Sequence, residues 1–340
     1  MSRLRLFAAA FGLLLAMPSS AHAGSPVSTA PQRIVVIVDG ITAIRNFPVI
    51  VAERLGYLKG DGFDVTVMDI RPDVEIDDMV ADGRADAAIA YWHHTVAAHA
   101  AGRPMEAIAT LGVTPGAKIM VAKQARQRFT SVEKLGGSRI IAGGPYSAKT
   151  TVANAIVLAG GNRIGNFVRL APEDKPSIAR MLREGAADLV VARSPDGAYY
   201  EAQGVADVFV DLTTVEGTRA ALGNLFPTNA VYMTSAKVRE RPDMAQHLAK
   251  AFVRTLAYLR SHTPEQIAAL IPGEIQGSDK AAYIAALREC LAMYENDGRM
   301  PAGAAEYELG VLKAAIPTYA RVEAAETYTN RFVDRALVVR

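Results

Sequence analysis

A duplicated segment is the sequence feature that most constrains the fold. Residues 79–90 read MVADGRADAAIA, and residues 181–192, 102 positions later, read MLREGAADLVVA. Each copy has the pattern of a helix end, a glycine, an Ala-Asp pair and a short apolar strand. A period of about 100 residues is too long for a solenoid repeat and indicates a duplicated domain.

A second pair of matching segments precedes these two. Residues 33–37, RIVVI, lead to Asp39-Gly40, and residues 139–142, RIIA, lead to Gly143-Gly144. Short apolar runs that end at glycine and precede a helical pattern predict buried strands of a parallel sheet. The segments in between also match, with predicted helices at 49–58 and 150–158 and predicted strands at 65–70 and 167–170. The sequence therefore predicts an α/β protein with two lobes of related plan.

The C-terminal third changes to helical patterns, from residue 237 onward, at 279–293 and at 304–315. We expect these helices to pack on the sheet of the first lobe. Two β-like segments beside Pro or Gly, 117–122 and 228–233, are predicted to connect the lobes. The predicted domains are a first lobe of residues 33–116 plus 230–340 and a second lobe of residues 122–229. Two crossings of this kind form a hinge with a cleft between the lobes.

The N-terminus predicts export. Residues 1–23 contain Arg3 and Arg5, an apolar stretch and a small-residue end, which is the pattern of a signal peptide cleaved after Ala23. The chain has 37 Lys and Arg, two of them in that segment, against 35 Asp and Glu, so the mature protein is neutral and nucleic acid is not expected as its partner. The single cysteine, Cys290, is predicted to be a buried, inert thiol, and no later apolar run predicts a membrane span.

Several motifs together resemble a known family. FPVIVAERLGYL at 47–58, followed by GFDV at 62–65, is similar to the signature of periplasmic solute-binding proteins of ABC importers. Those importers carry aliphatic sulfonates, taurine, nitrate and thiamine-pyrimidine precursors. GRADAAIA at 83–90, GRPM at 102–105 and VEKLGG at 132–137 resemble the family too, so the likeness covers residues 34–260. The resemblance implies a type II periplasmic-binding-protein fold that closes on a ligand and docks on a membrane permease.

The candidate binding residues follow from the position of the predicted strands. In open α/β sheets the ligand lies outside the carboxyl ends of the strands, which selects the loops at 39–43, 91–95, 143–150 and 193–199 and the return crossing at 228–229. The predicted ligand-binding residues are Gly40, Ile41, Thr42, Tyr91, Trp92, His93, His94, Tyr146, Ser147, Lys149, Thr150, Arg193, Ser194, Asp196 and Asn229. Arg45 and Tyr199 are equally consistent with the cleft and with other positions.

The segment GGPYSAKTT, residues 143–151, is close to a phosphate-binding loop. Ala148 replaces the second glycine that such a loop needs, and the predicted export removes the protein from an ATP supply. We interpret the segment instead as a glycine turn that opens a helix, with Ser147 as its cap and its N-terminus directed at an anion. Lys149 is either an anion contact or a solvated lysine.

The segment YWHHT, residues 91–95, predicts a pocket wall of stacking rings and hydrogen-bonding histidines. The alternative is a core tryptophan with surface histidines. A zinc site at His93, His94 and His99 is not predicted, because adjacent histidines on a helix point in different directions. Arg193 is either a contact to an anionic ligand or tied to Asp196. Asp86 and Asp188, which are equivalent in the duplication, are expected to be structural.

These observations predict a periplasmic substrate-binding component that captures a small organic, anionic solute, such as a sulfonate, a carboxylate or a pyrimidine-like compound. It would act as a monomer, pass the solute to an ABC permease with its ATPase subunits, and need no catalytic residue, cofactor or metal. One alternative is an enzyme on the same fold, of a lyase or pyrimidine-synthesising type. Another is a periplasmic sensory subunit.

Overall fold

Two β-sheets organise the chain in the computed structural model, which describes residues 30–70, 75–172, 174–294 and 296–338. The predicted signal peptide, residues 1–23, lies outside these ranges. The strands are β1 (Gln32–Asp39), β2 (Lys59–Gly60), β3 (Phe63–Ile70), β4 (Ala87–Tyr91), β5 (Met105–Thr110), β6 (Ala117–Ala122), β7 (Arg139–Ile141), β8 (Val168–Leu170), β9 (Leu189–Arg193), β10 (Ala206–Asp211) and β11 (Asn229–Thr234).

Fourteen α-helices connect and cover the sheets in the described ranges. They are α1 (Phe47–Arg54), α2 (Ile76–Ala81), α3 (His93–Ala100), α4 (Ala148–Ala159), α5 (Lys175–Glu184), α6 (Asp196–Ala202), α7 (Val215–Leu222), α8 (Ser235–Glu240), α9 (Pro242–Ser261), α10 (Pro264–Ala268), α11 (Gly273–Gln276), α12 (Lys280–Leu291), α13 (Ala304–Ala315) and α14 (Arg331–Val338). Short 3-10 helices span Ile44–Asn46, Lys123–Ala125, Val132–Lys134, Ala292–Tyr294, Pro317–Tyr319 and Ala324–Glu326.

The two sheets repeat one strand order, which confirms the predicted α/β class with two related sheets. The first sheet runs β2-β3-β1-β4-β11-β5. Starting from the matching edge, the second runs β8-β7-β9-β6-β10. In the first, β1 is parallel to β3 and β4, while β11 is antiparallel to β4 and β5. In the second, β7 is parallel to β8 and β9, while β6 is antiparallel to β9 and β10. Apart from the short edge strand β2, each strand therefore has a counterpart in the other sheet.

Equivalent aspartates anchor the two copies, as predicted for structural residues. The backbone N–H of Val35 donates to Asp86 Oδ2 at 2.8 Å, and the N–H of Asp86 donates back to the Val35 carbonyl at 2.8 Å. The same reciprocal pair joins Arg139 and Asp188, with both distances again 2.8 Å. Each aspartate thus ties the strand that carries one cleft loop to the strand that carries the other.

The chain passes between the sheets at 111–116 and 223–228, two segments that run side by side. The Thr228 N–H donates to the Gly112 carbonyl at 2.9 Å, and the Phe226 N–H donates to the Val113 carbonyl at 3.0 Å. The predicted connections at 117–122 and 228–233 are wrong in position, because those β-rich segments complete the sheets as β6 and β11. The crossings precede them.

The C-terminal helices do not all pack on the first sheet. Phe252 and Leu256 of α9 lie in the same buried cluster as Val36 and Val231 of that sheet. In α13, however, Val311 belongs to the core of the second sheet, while Leu309 belongs to a cluster on the first. Helix α13 therefore contacts both halves. Within the described ranges, no helix combines the length and apolar character needed to cross a bilayer.

A cleft between the two sheets as the candidate functional site

A cavity of about 170 Å³ lies where the carboxyl ends of the strands of both sheets meet. Its lining residues are Ala43, Ile44, Arg45, Tyr91, Pro115, Gly116, Arg193, Ser194, Asp196, Cys290 and Met293. A smaller cavity of about 10 Å³ adjoins it, lined by Tyr91, His93, Pro115, Ala117, Ala148, Lys149, Val152, Val191, Arg193, Phe226 and Thr228. Both volumes are below the ~300–1,000 Å³ of common ligand pockets. The two sides of the cleft therefore approach each other closely in this structure.

Tyr91 and two arginines form the centre of the cleft. Tyr91 ends β4, Arg193 ends β9, and Tyr91, Pro115 and Arg193 line both cavities. The Tyr91 hydroxyl is the largest influence that raises the pKa of Arg193, and Asp196 and Asp39 add to it against the effect of burial. The guanidinium carbon of Arg45 is 6.0 Å from the centroid of the Tyr91 ring. A planar anion at this position would meet two guanidinium groups and an aromatic face.

The acids near these arginines have basic partners, Arg45 itself for Asp39 and Lys175 for Asp196. Asp39 Oδ2 is 3.1 Å from Arg45 and its side chain is 53% exposed. Asp196 Oδ1 is 2.8 Å from Lys175, so the negative charge of Asp196 is shared between Lys175 and Arg193. The side of the cleft around Arg193 therefore keeps a positive character.

A stack of four rings continues from Tyr91 into the protein. The Tyr91 and His93 rings are 5.6 Å apart, His93 and His94 are 5.1 Å apart, and His94 and Tyr232 are 6.3 Å apart, with interplanar angles of 12°, 16° and 12°. Burial is the first cause that lowers the pKa of His93 to about 3, and the neighbouring His94 lowers it further while Asp77 opposes. His93 is therefore a neutral polar group at pH 7.

His94 lies behind the cleft wall. Its Nδ1 is 2.9 Å from Asp77 Oδ2, and Asp77 Oδ1 accepts the hydroxyl of Tyr232 at 2.8 Å. His99 bonds to the carbonyl of Met105 at 3.0 Å instead. The three histidines thus have separate partners, and no cluster of three or more metal-ligating side chains is found in the described part of the chain.

Trp92 requires a correction. Its side chain is fully buried and belongs to the cluster that contains Ala88 and Ala90. Alternate residues of a strand face the same side of the sheet, so Trp92 continues the face of Ala88 and Ala90, while Tyr91 lies on the opposite face and lines both cavities. The structure therefore places Trp92 in the core, as the alternative held, and not among the residues that line the cavities.

The turn after β1 also differs from the prediction. Gly40 has φ +68°, which favours glycine, and the Ala43 N–H donates to the Gly40 carbonyl at 2.9 Å. Ile41 donates its N–H to Asp69 and Thr42 is exposed. Because the turn reverses the chain, the cavity is lined one turn later, by residues 43–45, rather than by Gly40, Ile41 or Thr42.

The glycine turn after β7 contributes one of its predicted binding residues, the cation Lys149, to the cleft. Gly143 has φ +79°, and Ser147 caps α4 by accepting the Thr150 N–H at 3.2 Å. The hydroxyl of Thr150 is 3.0 Å from the Ala142 carbonyl and 2.7 Å from the Gly144 carbonyl, and Tyr146 is 70% exposed. Ser147, Thr150 and Tyr146 therefore shape the loop or face solvent, while Lys149 lines the smaller cavity.

The return crossing contributes buried polar atoms. Asn229 donates its amide to Asn46 Oδ1 at 2.9 Å and to the Arg45 carbonyl at 3.3 Å, which positions the 43–46 turn. Its own Oδ1 and the hydroxyl of Thr228 are buried without a partner among the described residues. Thr228, which lines the smaller cavity, is therefore a polar group that a bound solute or water can satisfy.

An interlobe contact that the sequence did not predict lies at the edge of the cleft. Ser194 donates to Glu289 Oε1 at 2.5 Å and Lys118 is 3.1 Å from Glu289 Oε2. Ser194 and Lys118 belong to the second sheet and its loops, whereas α12, which carries Glu289, packs in the core of the first. The neighbouring Cys290 lines the cavity, and burial raises the pKa of its thiol to about 12, so it is protonated.

A larger concavity of about 930 Å³ lies far from this chemistry. Phe63, which lines it, begins β3 at the amino end of the first sheet, and the other walls come from α9 and α14. The cleft lies at the opposite, carboxyl ends of the parallel strands, where the converging polar groups are. We therefore assign the candidate site to the cleft.

The geometry agrees with comparisons to known proteins. The family model described as NMT1/THI5 like matches residues 44–267, which is more than half of the chain. Comparison with curated protein sequences finds no significant match.

Three solved structures share the fold. A protein from Bordetella bronchiseptica is 26% identical over 90% of this chain and 97% of its own, with a TM-score of 0.73. The periplasmic sulfonate-binding protein SsuA from Methylobacillus flagellatus is 14% identical over 91% and 94%, with a TM-score of 0.69. The desulfurization enzyme DSZB is 15% identical over 91% and 99%, with a TM-score of 0.59. The chain has the type II periplasmic-binding-protein fold, and it belongs to the NMT1/THI5-like family.

Proposed function

We propose that the protein is the periplasmic substrate-binding component of an ABC importer. It captures a small anionic organic solute, such as a sulfonate, a carboxylate or a pyrimidine-like compound, in the cleft. The observation that carries the proposal is that Arg45, Arg193 and Tyr91 line one cavity, at the meeting point of the two sheets. Family membership and the sulfonate-binding neighbour support the same class.

The assignment of lobes completes the proposal. The two lobes comprise residues 33–116 with 230–340 and residues 122–229, and β6 (Ala117–Ala122) completes the sheet of the second lobe. The paired crossings at 111–116 and 223–228 lie at their boundary and form the hinge. Closure on the solute creates the surface that the permease and its ATPase subunits recognise, and the protein acts as a monomer. Residues 1–23 direct export, with cleavage after Ala23.

A thermal-shift panel of sulfonates, carboxylates and pyrimidines tests this function. A solute that binds only the folded state at 100 times its Kd stabilises the protein by about 2.7 kcal/mol. We expect anionic compounds to raise Tm in the wild-type protein and in the control Arg183→Gln, a change at an exposed position of α5, but not in Arg193→Gln. Stabilisation by neutral compounds alone, or by none of the panel, would contradict the proposal.

An enzyme is the second candidate, because DSZB has the same fold. The cleft offers little support for covalent chemistry, since the pKa of Cys290 is raised to about 12 by burial and that of His93 is lowered to about 3. Turnover of a panel solute by the pure protein, lost in His94→Ala, would favour the enzyme. A sensory role would instead show as binding to a membrane kinase rather than to a permease.

A further inference from the structure

Glu308 lies one layer behind the cleft wall, in α13. Its side chain is 1% exposed, and neither carboxyl oxygen has a hydrogen-bond partner among the described residues. Nδ1 of His93 is 3.7 Å from Glu308 Oε1, and His93 itself lines the smaller cavity. A buried polar group that is just beyond bonding distance of a cleft residue requires an explanation.

The protonation states of this pair follow from burial. An ionised carboxylate without a partner is costly in a protein interior, and burial raises the pKa of Glu308 well above its ordinary range. Burial also lowers the pKa of His93 to about 3, with His94 adding to the effect and Asp77 opposing it. At pH 7 the pair therefore consists of a carboxylic acid and a neutral imidazole.

We propose that Glu308 is a positioning residue whose carboxyl O–H donates to Nδ1 of His93, which fixes the hydrogen of the imidazole on Nε2. A carboxylic acid needs an acceptor for its O–H, and the Nδ1 lone pair supplies one once the two side chains approach each other by roughly 0.5–1 Å. A neutral imidazole that accepts at Nδ1 carries its hydrogen on Nε2. His93 then presents an N–H donor to a solute in the cleft. That consequence rests on the proposed function, whereas the tautomer does not.

His94 provides an internal comparison with the opposite tautomer. Its Nδ1 is 2.9 Å from Asp77, which also accepts the Tyr232 hydroxyl. A carboxylate that accepts from both groups requires the hydrogen of His94 on Nδ1. Two stacked neighbouring imidazoles thus carry their hydrogens on different nitrogens, each fixed by the carboxyl group beside it. Other polar groups near His93 are Tyr91, stacked on its ring, and Lys149, Arg193 and Thr228, which line the same smaller cavity.

Nitrogen NMR of the ligand-free, full-length mature protein with 15N-labelled histidine side chains tests the proposal, with His93→Gln used to assign the signal. We expect His93 to show the Nε2–H pattern at pH 7 and His94 to show the Nδ1–H pattern. An Nδ1–H or imidazolium pattern at His93 in the wild-type protein would overturn the proposal. Because no solute is present, the result is independent of whether the proposed transport function is correct.

Two variants separate positioning from packing. Glu308→Gln keeps an N–H donor for Nδ1, so we expect the His93 pattern to persist. Glu308→Leu removes the donor, so His93 should lose its pure Nε2–H signature while His94 keeps its own. An unchanged His93 in a folded Glu308→Leu protein would contradict the proposal, and should that variant fail to fold, an Nδ1–H or imidazolium pattern in the wild-type protein still overturns it.

Discussion

Two strand ends, at Tyr91 of β4 and Arg193 of β9, occupy equivalent places in the two sheets but carry different chemistry. Both strands are anchored in the same way, by Asp86 and Asp188, each of which exchanges hydrogen bonds with a neighbouring strand. The end of β4 carries stacked rings, whereas the end of β9 carries a half-buried arginine followed by a serine that bonds to Glu289 of the other half. The anchors are thus retained in both copies, while the residues that face the cleft differ.

This difference divides the recognition of a solute between the two sides. The first side offers an aromatic surface and neutral hydrogen-bonding groups, and the second offers positive charge. Substitutions at the two strand ends should therefore alter binding in different ways, and substitutions at the two anchors should alter only stability.

The largest effect is expected at Arg193. In Arg193→Gln, affinity for an anionic solute found in the thermal-shift panel should fall about 100-fold, because a half-buried charge that pairs with the anion is lost. Isothermal titration calorimetry measures the change, with Arg183→Gln as the matched surface control. Equal affinity in the two variants would mean that charge on the β9 side does not bind the solute.

The anchors should show the next largest effect, on folding. Asp188 is 3% exposed and meets both Arg128 and Arg139, so Asp188→Asn should lower the free energy of unfolding by about 2 kcal/mol. Asp86 is 21% exposed and pairs with Lys237, so Asp86→Asn should lower the free energy of unfolding by about 1 kcal/mol. Urea unfolding measures both, and solute affinity should stay the same.

The loss of unfolding free energy at acidic pH gives a further test of the anchor Asp188. Burial opposes ionisation of Asp188, but hydrogen bonds from Arg139 and the charges of Arg128 and Arg139 outweigh it and lower its pKa. A lowered folded-state pKa means that this stabilisation is present above the unfolded value of about 3.9 and is lost as pH falls through the folded value. Asp188→Asn should therefore flatten the loss of stability in acid. An acid profile identical to that of the wild-type protein would contradict this role.

Tyr91 should show a smaller, two-part effect. Tyr91→Ala removes the aromatic face and should weaken binding of a ring-containing anion about 10-fold. Tyr91→Phe keeps the ring and removes only the hydroxyl beside Arg193, so its loss should be a few-fold. Calorimetry with the same solute distinguishes the two, and an equal loss in both variants would show that the hydroxyl, not the ring, carries the contact.

The smallest effect is expected at Trp92, the only tryptophan. Because its side chain is fully buried in the core, its fluorescence emission maximum should be nearly unchanged when the cleft is saturated, and iodide should not quench it. A large shift on binding, with strong quenching in the empty protein, would place Trp92 at the cleft surface.

The sequence predicted the scaffold well because the repeated segments and the short apolar runs that end at glycine are visible in the sequence itself. Helix α13, at Ala304–Ala315, begins and ends where predicted, and the strand orders of the two sheets confirm the repeat. The predicted position of the crossings was wrong. A β-rich segment beside Pro or Gly can be either a linker or a strand of a sheet, and its sequence does not distinguish the two.

The cleft residues were predicted less well. The strand-end rule selected Tyr91, His93, Lys149, Arg193, Ser194 and Asp196, all of which line the cavities. It cannot tell which residues of a turn face inward, so it named Gly40 to Thr42 where residues 43–45 line the cavity. Glu289 and Glu308 come from helices more than 90 residues away from their partners in sequence, and no local pattern marks such contacts.

Native mass spectrometry of the protein purified without unfolding tests the central claim most directly. The wild-type protein and Arg183→Gln should each carry one equivalent of a small molecule that is detected as an anion after release, and Arg193→Gln should carry none. An equal load of the same molecule in Arg193→Gln, or a released compound that bears no acidic group, would contradict an anion-binding cleft between the two sheets.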